Sequence, residues 1–439
     1  MKALVFERNL PRFAASRVAS LLGSGKGVGV GPLRLLEAEP PELPGPDWHR
    51  VWPVLSGICG SDLATLDGRS SRYFEELVSF PFVPGHEVVG VLDGDAVAAD
   101  GTAVAAGTRV VLEPVLGCAA RRIDPPCPAC AAGRTGDCEL VAFGHLRPGL
   151  QTGFCADTGG GWSAAGLVAH RSQLHRVADG LTDADAVTVE PVACAVHAAL
   201  AAGIRDGDTV AVLGAGTVGL TVVAAVAHLA ATGRLAVPAA VLVGARYPGQ
   251  RELAVALGAT EALPPDHLAR AVRRRSRSLA VGAPTGGGQR LTGGADVVLD
   301  CVGSAASIAQ ALDMVRPRGR IALVGMPGKV SVDLTSLWHR EVSLAGTYAY
   351  GVEHVPGGPG PGGEGSPGGE GRAGGEPVRT FDLAAEVVAA KGTGRLVSAR
   401  YPLERFEEAV AHAGAAGRRG AVKVAFELPA PRKSKKGST

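Results

Sequence analysis

A glycine-rich turn between two apolar segments constrains the fold of this 439-residue chain more than any other feature. Residues 208–213 have the composition of a buried β-strand, the turn follows at residues 214–219, and an apolar segment continues to about Ala231. A strand, a tight glycine turn and a helix are the first unit of a parallel α/β sheet. The stretch is also long and apolar enough to cross a bilayer, but its glycines and β-branched start favour burial inside such a sheet.

The glycines of this turn suit the binding of a dinucleotide. Gly214 permits the tight turn, Gly216 lets the backbone approach a pyrophosphate, and Gly219 allows the helix to pack closely on the strand. The N-terminus of the helix offers N–H groups and a positive dipole to the phosphates. We therefore predict a nucleotide site that includes Gly214, Gly216, Thr217, Val218 and Gly219.

The end of the next predicted strand bears on which dinucleotide binds. Residues 239–243 form this strand, and it ends at Gly244-Ala245-Arg246-Tyr247 without the Asp or Glu that would bind the ribose hydroxyls of NAD. Arg246 can pair with a 2′-phosphate through a charge-assisted fork. The pattern favours NADP. The alternative is that NAD binds and that Arg246 is simply solvated.

Further predicted strands extend the sheet at residues 296–300, 320–324 and 342–345. They alternate with helical segments, as a doubly wound parallel sheet requires. The carboxyl ends of the first two strands, at Cys301, Val302 and Val324, should therefore border the nicotinamide ring.

Three distant side chains form a candidate catalytic metal site. Cys59 and His86 lie on separate turns, each near a carboxylate, Asp62 or Glu87, that can orient the ligand by a hydrogen bond. A zinc site that does chemistry has three protein ligands and an open position. Glu190 is a lone carboxylate in an apolar run, where burial is costly without a cation, so we predict it as the third ligand.

Four further cysteines predict a structural zinc site: Cys118, Cys127, Cys130 and Cys138. Four thiolates close a tetrahedral site and leave no open position for a substrate. The alternative is a metal-free lobe in which Cys118 is a buried thiol. We favour zinc, because four thiols within twenty-one residues are uncommon.

Taken together, these motifs resemble those of the zinc-dependent medium-chain dehydrogenase/reductases, in the branch that contains sorbitol, glucose and threonine dehydrogenases. The landmarks run in the family's order from Val54 to about Val424. The resemblance implies an α/β protein with a β-rich GroES-like catalytic domain and a Rossmann domain that carries a doubly wound parallel sheet. The gap after Cys118 is longer than in the family, so residues 121–126 read as an insertion within the lobe.

The resemblance also implies the chemistry: a zinc-assisted hydride transfer between an alcohol or polyol and NADP or NAD. Ser61 occupies the position at which the family has the Ser or Thr that takes the proton of the substrate hydroxyl. In some polyol dehydrogenases the residue equivalent to Glu87 binds the zinc, so Glu87 is the alternative to Glu190 as third ligand. Many relatives have a proton-relaying histidine where this chain has Ala64. The alternatives are a zinc-free quinone or enoyl reductase of the same superfamily, and a nucleotide-binding protein without catalytic activity.

The predicted domains follow from the same resemblance. We expect the catalytic domain over residues 1–185, with its zinc lobe at about residues 113–140. The Rossmann domain should cover residues 186–346, and residues 347–430 should return to the catalytic domain.

Three segments lie outside the family pattern. Residues 7–30 are rich in small side chains and are predicted to be a surface excursion. Residues 355–376 contain eleven glycines among twenty-two residues and predict a disordered insertion. Residues 431–439 predict a flexible basic tail.

Charge and cysteine content limit the partners. The chain has 44 basic and 42 acidic residues, so it has no long-range field that would favour nucleic acid or a membrane surface. Its charged first twenty residues lack the apolar core of a secretory signal, and eight cysteines suit metal binding in a reducing compartment. We expect a cytoplasmic homo-oligomer that acts on a small alcohol, polyol or sugar.

Overall fold

The computed structural model of the chain describes residues 1–282, 289–356 and 375–429. Its contacts divide the chain into two compact units. The first unit comprises Met1–Glu190, Val397–Ala416 and the chain from Lys423 onward, and the second comprises Pro191–Leu396 with Gly417–Val422.

The elements run along the chain in three groups. Those before residue 189 are β1 (Lys2–Phe6), α1 (Leu10–Ala19), β2 (Leu33–Glu37), β3 (Trp48–Gly57), α2 (Gly60–Leu66), β4 (Val88–Leu92), β5 (Ala96–Val97), β6 (Ala103–Val104), β7 (Arg109–Leu112), α3 (Pro128–Ala131), β8 (Leu167–His170), β9 (Leu174–Arg176) and α4 (Asp183–Ala186). Those that follow, up to residue 391, are α5 (Val189–Ala201), β10 (Thr209–Leu213), α6 (Thr217–Ala231), β11 (Ala240–Gly244), α7 (Pro248–Leu257), β12 (Glu261–Leu263), α8 (Pro265–Ser276), β13 (Ala280–Gly282), β14 (Gln289–Leu291), β15 (Ala295–Asp300), α9 (Ala305–Met314), β16 (Val315–Leu323), α10 (Thr335–His339), β17 (Ser343–Gly346), β18 (Val352–Val355), β19 (Glu376–Arg379) and α11 (Thr380–Lys391). The last are β20 (Val397–Tyr401), α12 (Phe406–Ala413) and β21 (Lys423–Glu427).

The first unit is built on a seven-stranded, largely antiparallel sheet. Its strands lie in the order β20-β21-β3-β4-β7-β9, and β8 pairs with β3. The end of β3 is fully buried over its last three residues, where β21 and β4 flank it on either side. An aromatic core packs against this end, and in it Trp162 and Phe426 make an edge-to-face contact with ring centroids 5.0 Å apart.

The second unit is the doubly wound parallel sheet that the sequence predicts. Its six strands lie in the order β12-β11-β10-β15-β16-β17, and all neighbouring pairs are parallel. The direction of winding reverses between β10 and β15, and the loops at such a reversal open a crevice for a ligand. The central strands β10, β11 and β15 are almost continuously apolar, because both faces of the sheet are covered there.

The second unit extends further along the chain than the sequence analysis predicts. Residues 347–396 belong to it, whereas we expected the return to the catalytic domain to begin at residue 347. The reason is α11, whose apolar face is buried against α6. Just beyond the end of α6, Arg234 forms an ion pair with Glu386 of α11. A helical pattern alone cannot tell which core its apolar face will join.

Two further expectations are revised in part. Residues 7–30 are not merely an excursion, because they contain α1, which begins after an Asn9 cap whose side chain accepts the N–H of Arg12 at 3.1 Å. The edges of the predicted insertion at 355–376 are ordered, because Val355 pairs with Glu376 in the β18–β19 hairpin. The rest of that prediction falls on residues 357–374, and the predicted tail on residues 431–439, which lie outside the described residues.

Within the described ranges, no helix has the length and hydropathy needed to cross a bilayer. The apolar stretch from Val210 to Ala231 forms β10 and α6 and is buried within the second unit, as predicted.

Candidate active site

The register between β3 and β4 brings Cys59 and His86 together. Ser56 pairs with Val88 across the two strands, and the Gly57 N–H donates to the carbonyl of Glu87 at 2.9 Å. Cys59 therefore follows the end of β3 at the level where His86 leads into β4. Twenty-seven residues of sequence separate the two side chains, but one antiparallel pairing sets their positions.

Cys59 is held at the N-terminus of α2. Its backbone N–H donates to Oδ2 of Asp62 at 2.9 Å, which ties the turn that carries the thiol to the first turn of the helix. Gly57, just before it, lies against the Glu87 carboxylate: a Cβ atom at this position would lie 1.7 Å from Glu87 Oε2. Only glycine leaves room for that carboxylate beside the strand.

A thiol, an imidazole and a carboxylate converge at this point. One ligand atom from each of Cys59, His86 and Glu87 lies within 4.8 Å of the other two. His86 and Glu87 are buried and Cys59 is half-buried. Sulfur, nitrogen and oxygen donors in a group of this size are the set that binds zinc in proteins.

Asp62 orients His86 from outside this group. Its Oδ1 lies 3.5 Å from His86 Nδ1, and neither buried atom has a hydrogen-bond partner within the described chain. Burial opposes the charged imidazole, but the Asp62 carboxylate and Cys59 raise the pKa of His86 well above its usual value. The pocket therefore favours a positive charge here, and a divalent cation held by Cys59 and His86 would meet that demand.

Lys423 is a member of the site that sequence reasoning missed. It opens β21, only 3% of it is exposed, and its Nζ lies 2.5 and 2.6 Å from the two oxygens of Glu87. Burial opposes the charge on Lys423, but Glu87, Cys59 and Glu190 together raise its pKa. The sequence does contain a sign of this role: Lys423 is a lone charged residue in the apolar run from Ala421 to Phe426. The cost of burying a lone charge, which identified Glu190 as a candidate, applies equally to Lys423.

Glu190 lies outside the compact donor group. It sits in the first turn of α5 and is buried, and its charge contributes to the raised pKa of Lys423. The group of donors within 4.8 Å of one another contains Glu87, the alternative ligand, in its place.

Two other predicted positions lie on α2. Ser61 is half-buried in the first turn of the helix, two residues beyond Cys59. Ala64 is buried one turn later, so this chain has a methyl group where many relatives have a relaying imidazole.

Trp162, which follows a run of three glycines, is a core residue: it is fully buried and its Nε1 donates to the carbonyl of Gly57 at 3.1 Å.

The four cysteines of the lobe also converge. The sulfur atoms of Cys118, Cys127, Cys130 and Cys138 all lie within 4.8 Å of one another. Backbone N–H groups point at two of them, from Cys127 to Cys118 Sγ at 3.4 Å and from Cys130 to Cys127 Sγ at 3.5 Å. A hydrogen bond from Cys130 lowers the pKa of the Cys138 thiol. Such an arrangement of thiols suits a closed tetrahedral metal site.

The glycine turn of the second unit has the predicted geometry. It connects β10 to α6, and a Cβ atom on Gly219 would lie 2.0 Å from the carbonyl oxygen of Gly214. Thr217 and Val218 form the first turn of α6, whose leading N–H groups are available to a phosphate.

The loops after β15 and β16 lie beside this turn within the same sheet. Asp300 ends β15, is fully buried, and accepts the N–H groups of Val302 and Gly303 and the hydroxyl of Ser307. These bonds fix the backbone at Cys301 and Val302, while the Val324 N–H donates to the carbonyl of Asp300 at 2.9 Å. Burial raises the pKa of Cys301, which therefore stays a thiol.

The end of β11 carries more positive charge than the sequence analysis recognised. Arg246 is exposed just after the strand, and Arg251 on α7 donates from Nη1 to the carbonyls of Ala245 at 3.0 Å and Arg246 at 3.1 Å. Arg251 follows Arg246 by five residues, which places it one helical turn into α7; this spacing was a signal that the sequence offered.

Two sequence families match the chain. Residues 45–179 match the alcohol dehydrogenase GroES-like domain, and residues 225–357 match the zinc-binding dehydrogenase domain. These are the β-rich unit with the Cys59 group and the unit with the parallel sheet.

Individual relatives are similar over most of their length. A sorbitol dehydrogenase of Arabidopsis thaliana is 31% identical over 328 residues, 74% of this chain and 79% of that protein. A sorbitol dehydrogenase of Bacillus subtilis (strain 168) is 28% identical over 72% of this chain and 82% of its own length. An L-idonate 5-dehydrogenase of Vitis vinifera is also 28% identical, over 72% of this chain and 78% of its own.

Solved structures have the same fold. A Sinorhizobium meliloti 1021 protein, classed as a zinc-binding dehydrogenase and solved bound to NADP, aligns with a TM-score of 0.62 at 25% identity over 92% of this chain and 98% of its own. An alcohol dehydrogenase from Thermus sp. ATN1 aligns with a TM-score of 0.62 at 23% identity over 98% of this chain and all of its own.

Proposed function

This chain belongs to the zinc-binding alcohol dehydrogenase family, and we propose that it oxidises an alcohol or polyol with zinc at the Cys59 group and NADP as the hydride acceptor. The observation that carries the proposal is the convergence of Cys59, His86 and Glu87 within 4.8 Å. The relatives named above act on sorbitol and L-idonate, so a polyol or sugar acid is the substrate class to test first.

The residues of the first unit divide the work of such a reaction. Cys59 and His86 would hold zinc, which when bound acts as a Lewis acid on the substrate oxygen. Asp62 holds the His86 ring in place through its contact with Nδ1. Ser61, two residues from Cys59 in the first turn of α2, would take the proton of the substrate hydroxyl. Because position 64 is alanine, that proton would leave through water rather than through an imidazole at this position.

We propose Glu87 as the third ligand, with Glu190 outside the donor group. The distance of Glu87 from both other donors supports this choice. Lys423 competes with zinc for Glu87, because its ammonium group contacts both carboxylate oxygens. An ionised carboxylate has about four lone-pair sites, however, and can bind a metal as well. Zinc content at the catalytic site should then fall further in Glu87→Gln than in Glu190→Gln. The reverse order would return the third ligand to Glu190.

The preference for NADP is part of the proposal. It is supported by the absence of an acidic residue after β11 and by the two guanidinium groups, Arg246 and Arg251, near its end. Arg246→Ala and Arg251→Ala should each lower the ratio of kcat/KM for NADP to that for NAD by about tenfold. Arg270→Ala, an exposed arginine on α8, is the matched control. An unchanged ratio in both variants would contradict the assignment.

We also propose that the chain forms a homo-oligomer through β17. This strand ends the six-stranded sheet, and all four of its residues are exposed. Trp338, which is 79% exposed, and Leu344 add apolar surface beside this edge. A Leu344→Lys variant should show a lower mass than the wild type in light scattering, and an unchanged oligomer would exclude this edge.

Neither alternative function is favoured. A zinc-free reductase does not need the Cys59 and His86 pair, and a protein without catalytic activity does not need Ser61 beside it; the chain has all three. The direct test of the proposed function is a panel of polyols, sugars and simple alcohols with each coenzyme. NADP reduction that depends on a polyol supports the proposal, and reduction of quinones or enones by NADPH without polyol oxidation would overturn it.

A further inference from the structure

Arg121 is a fully buried arginine at the start of residues 121–126, which are predicted to be an insertion within the four-cysteine lobe. It lies three residues after Cys118, and the next residue, Arg122, is by contrast exposed to solvent. A buried guanidinium is costly, because it loses its hydration and cannot release its proton. It therefore needs hydrogen-bond acceptors and a compensating negative charge.

The side chain of Arg121 binds backbone carbonyls. Nε donates to Leu116 at 2.9 Å, Nη1 to Phe143 at 2.9 Å and Nη2 to Gly149 at 2.6 Å, with weaker contacts to Leu146 and Arg147. These bonds fasten residues 143–149 to the lobe. They satisfy the donors of the guanidinium, but carbonyls are neutral and leave its charge uncompensated.

No carboxylate of the described residues is hydrogen-bonded to Arg121. Asp157 acts on it only at a distance and is itself paired with Arg147 at 2.6 Å. Burial lowers the pKa of Arg121, and the groups that oppose this shift include Cys155, Cys138 and Cys118. Two of these three thiols belong to the lobe, and the backbone N–H of Arg121 donates to the carbonyl of Cys118 at 3.1 Å, so the arginine is joined directly to the lobe.

Four thiolates around one divalent zinc carry a net charge of about −2. We propose that Arg121 is a positioning residue of the four-cysteine site, whose positive charge offsets the charge of the zinc-loaded lobe while its fork holds residues 143–149 against it. The inference rests on the occupation of the lobe by zinc. It makes zinc retention and the order of residues 143–149 depend on one side chain.

The test compares charge with hydrogen bonding at position 121. In a Cys59→Ser background, which removes a ligand of the other site, zinc per chain and the rate of zinc transfer to a chromogenic chelator are measured for Arg121→Gln, Arg121→Lys and the control Arg122→Gln. Arg121→Gln should release zinc about tenfold faster than the parent. Arg121→Lys, which keeps the charge but not the fork, should lie nearer the parent, and Arg122→Gln should match it.

Equal release rates for Arg121→Gln and the parent, or for Arg121→Gln and Arg121→Lys, would overturn the inference. A parent chain without zinc would overturn both this inference and the structural zinc proposed above, whereas zinc that is retained equally in every variant would overturn only the role of Arg121. If Arg121→Gln does not fold, hydrogen exchange of the wild-type chain decides: amides in residues 143–149 should exchange faster once the lobe zinc is removed, and unchanged exchange would contradict the coupling.

Discussion

Lys423 and Glu87 form a buried ion pair at the group of Cys59, His86 and Glu87. The two residues are 336 positions apart in sequence and meet because β21 pairs with β3 at Gly57. Such a pair positions the carboxylate, since both of its oxygens are held by a single ammonium. A buried pair of this kind contributes little net stability, but breaking it leaves a charge without a partner.

In protein freed of zinc, we therefore expect Lys423→Met to lower the free energy of unfolding by about 3 kcal/mol or more, because Glu87 then remains buried without a charged partner. Denaturant unfolding measures the loss. Arg400→Met, which breaks the exposed Arg400–Glu427 pair between β20 and β21, is the matched control and should cost less than about 1 kcal/mol. Adding Glu87→Gln to Lys423→Met should recover much of the loss. Equal costs for the two single variants would show that the pair is unimportant.

We expect His170 to make the first unit sensitive to acid. It packs against Trp48 with ring centroids 5.7 Å apart, and burial lowers its pKa to about 4. The pKa of His170 is therefore lower in the folded chain than in the unfolded chain, where it is near 6.5. Such a shift favours the folded state above pH 6.5, and this stability is lost as the pH falls toward 4.

Between pH 7 and pH 5 the wild type should lose about 1–2 kcal/mol more of unfolding free energy than His170→Asn, which keeps a capping side chain but cannot take up the proton. Denaturant unfolding followed by tryptophan fluorescence at the two pH values provides the comparison. Equal pH dependence in the two proteins would remove His170 as the cause.

At the scale of elements, the segment with α1 is attached to the helix that carries the catalytic candidates. The Ser16 hydroxyl donates to the carbonyl of Leu66 at the end of α2, and Asp67 accepts the Ser24 hydroxyl at 2.6 Å and the Gly25 N–H at 2.8 Å. Asp67 is buried, so these bonds are not exposed to competition from water. The segment therefore supports α2 at the end opposite to Cys59.

Replacing Asp67 with alanine should lower the free energy of unfolding by about 2 kcal/mol, because it leaves the buried N–H of Gly25 without an acceptor. Trypsin should also cleave at Arg17 or Lys26 faster than in the wild type. Glu75→Ala, which removes an exposed partner of Arg72, is the control and should change neither measurement. If Asp67→Ala behaves like this control, then α1 is not anchored through Asp67.

Local patterns in the sequence predict some elements of the fold and not others. The β10–turn–α6 unit and β15 were predicted from local patterns, because apolar runs and glycine spacing are set within a few residues. The four thiols of the lobe, which are close in sequence, also converge in the structure. Lys423 was missed because its role depends on a pairing between distant strands, and α11 was assigned to the wrong unit because its pattern shows an apolar face but not the helix it meets.

At the scale of the whole molecule, two groups of candidate metal ligands lie in one unit and the glycine-rich turn lies in the other. The Cys59 group contains mixed donors and suits a reactive site, whereas the four cysteines suit a closed one. The account therefore predicts about two zinc ions per chain, of which only the one at Cys59 is needed for turnover.

The most direct test is to measure zinc per chain together with polyol-dependent NADP reduction in the wild type and in Cys59→Ser. The account predicts that the wild type holds about two zinc ions, and that Cys59→Ser keeps about one and loses at least a thousandfold in kcat. Removing zinc from the wild type should abolish turnover, and adding zinc back should restore it. Turnover that persists in Cys59→Ser, or in protein free of zinc, would contradict the claim that Cys59 and His86 hold a catalytic metal.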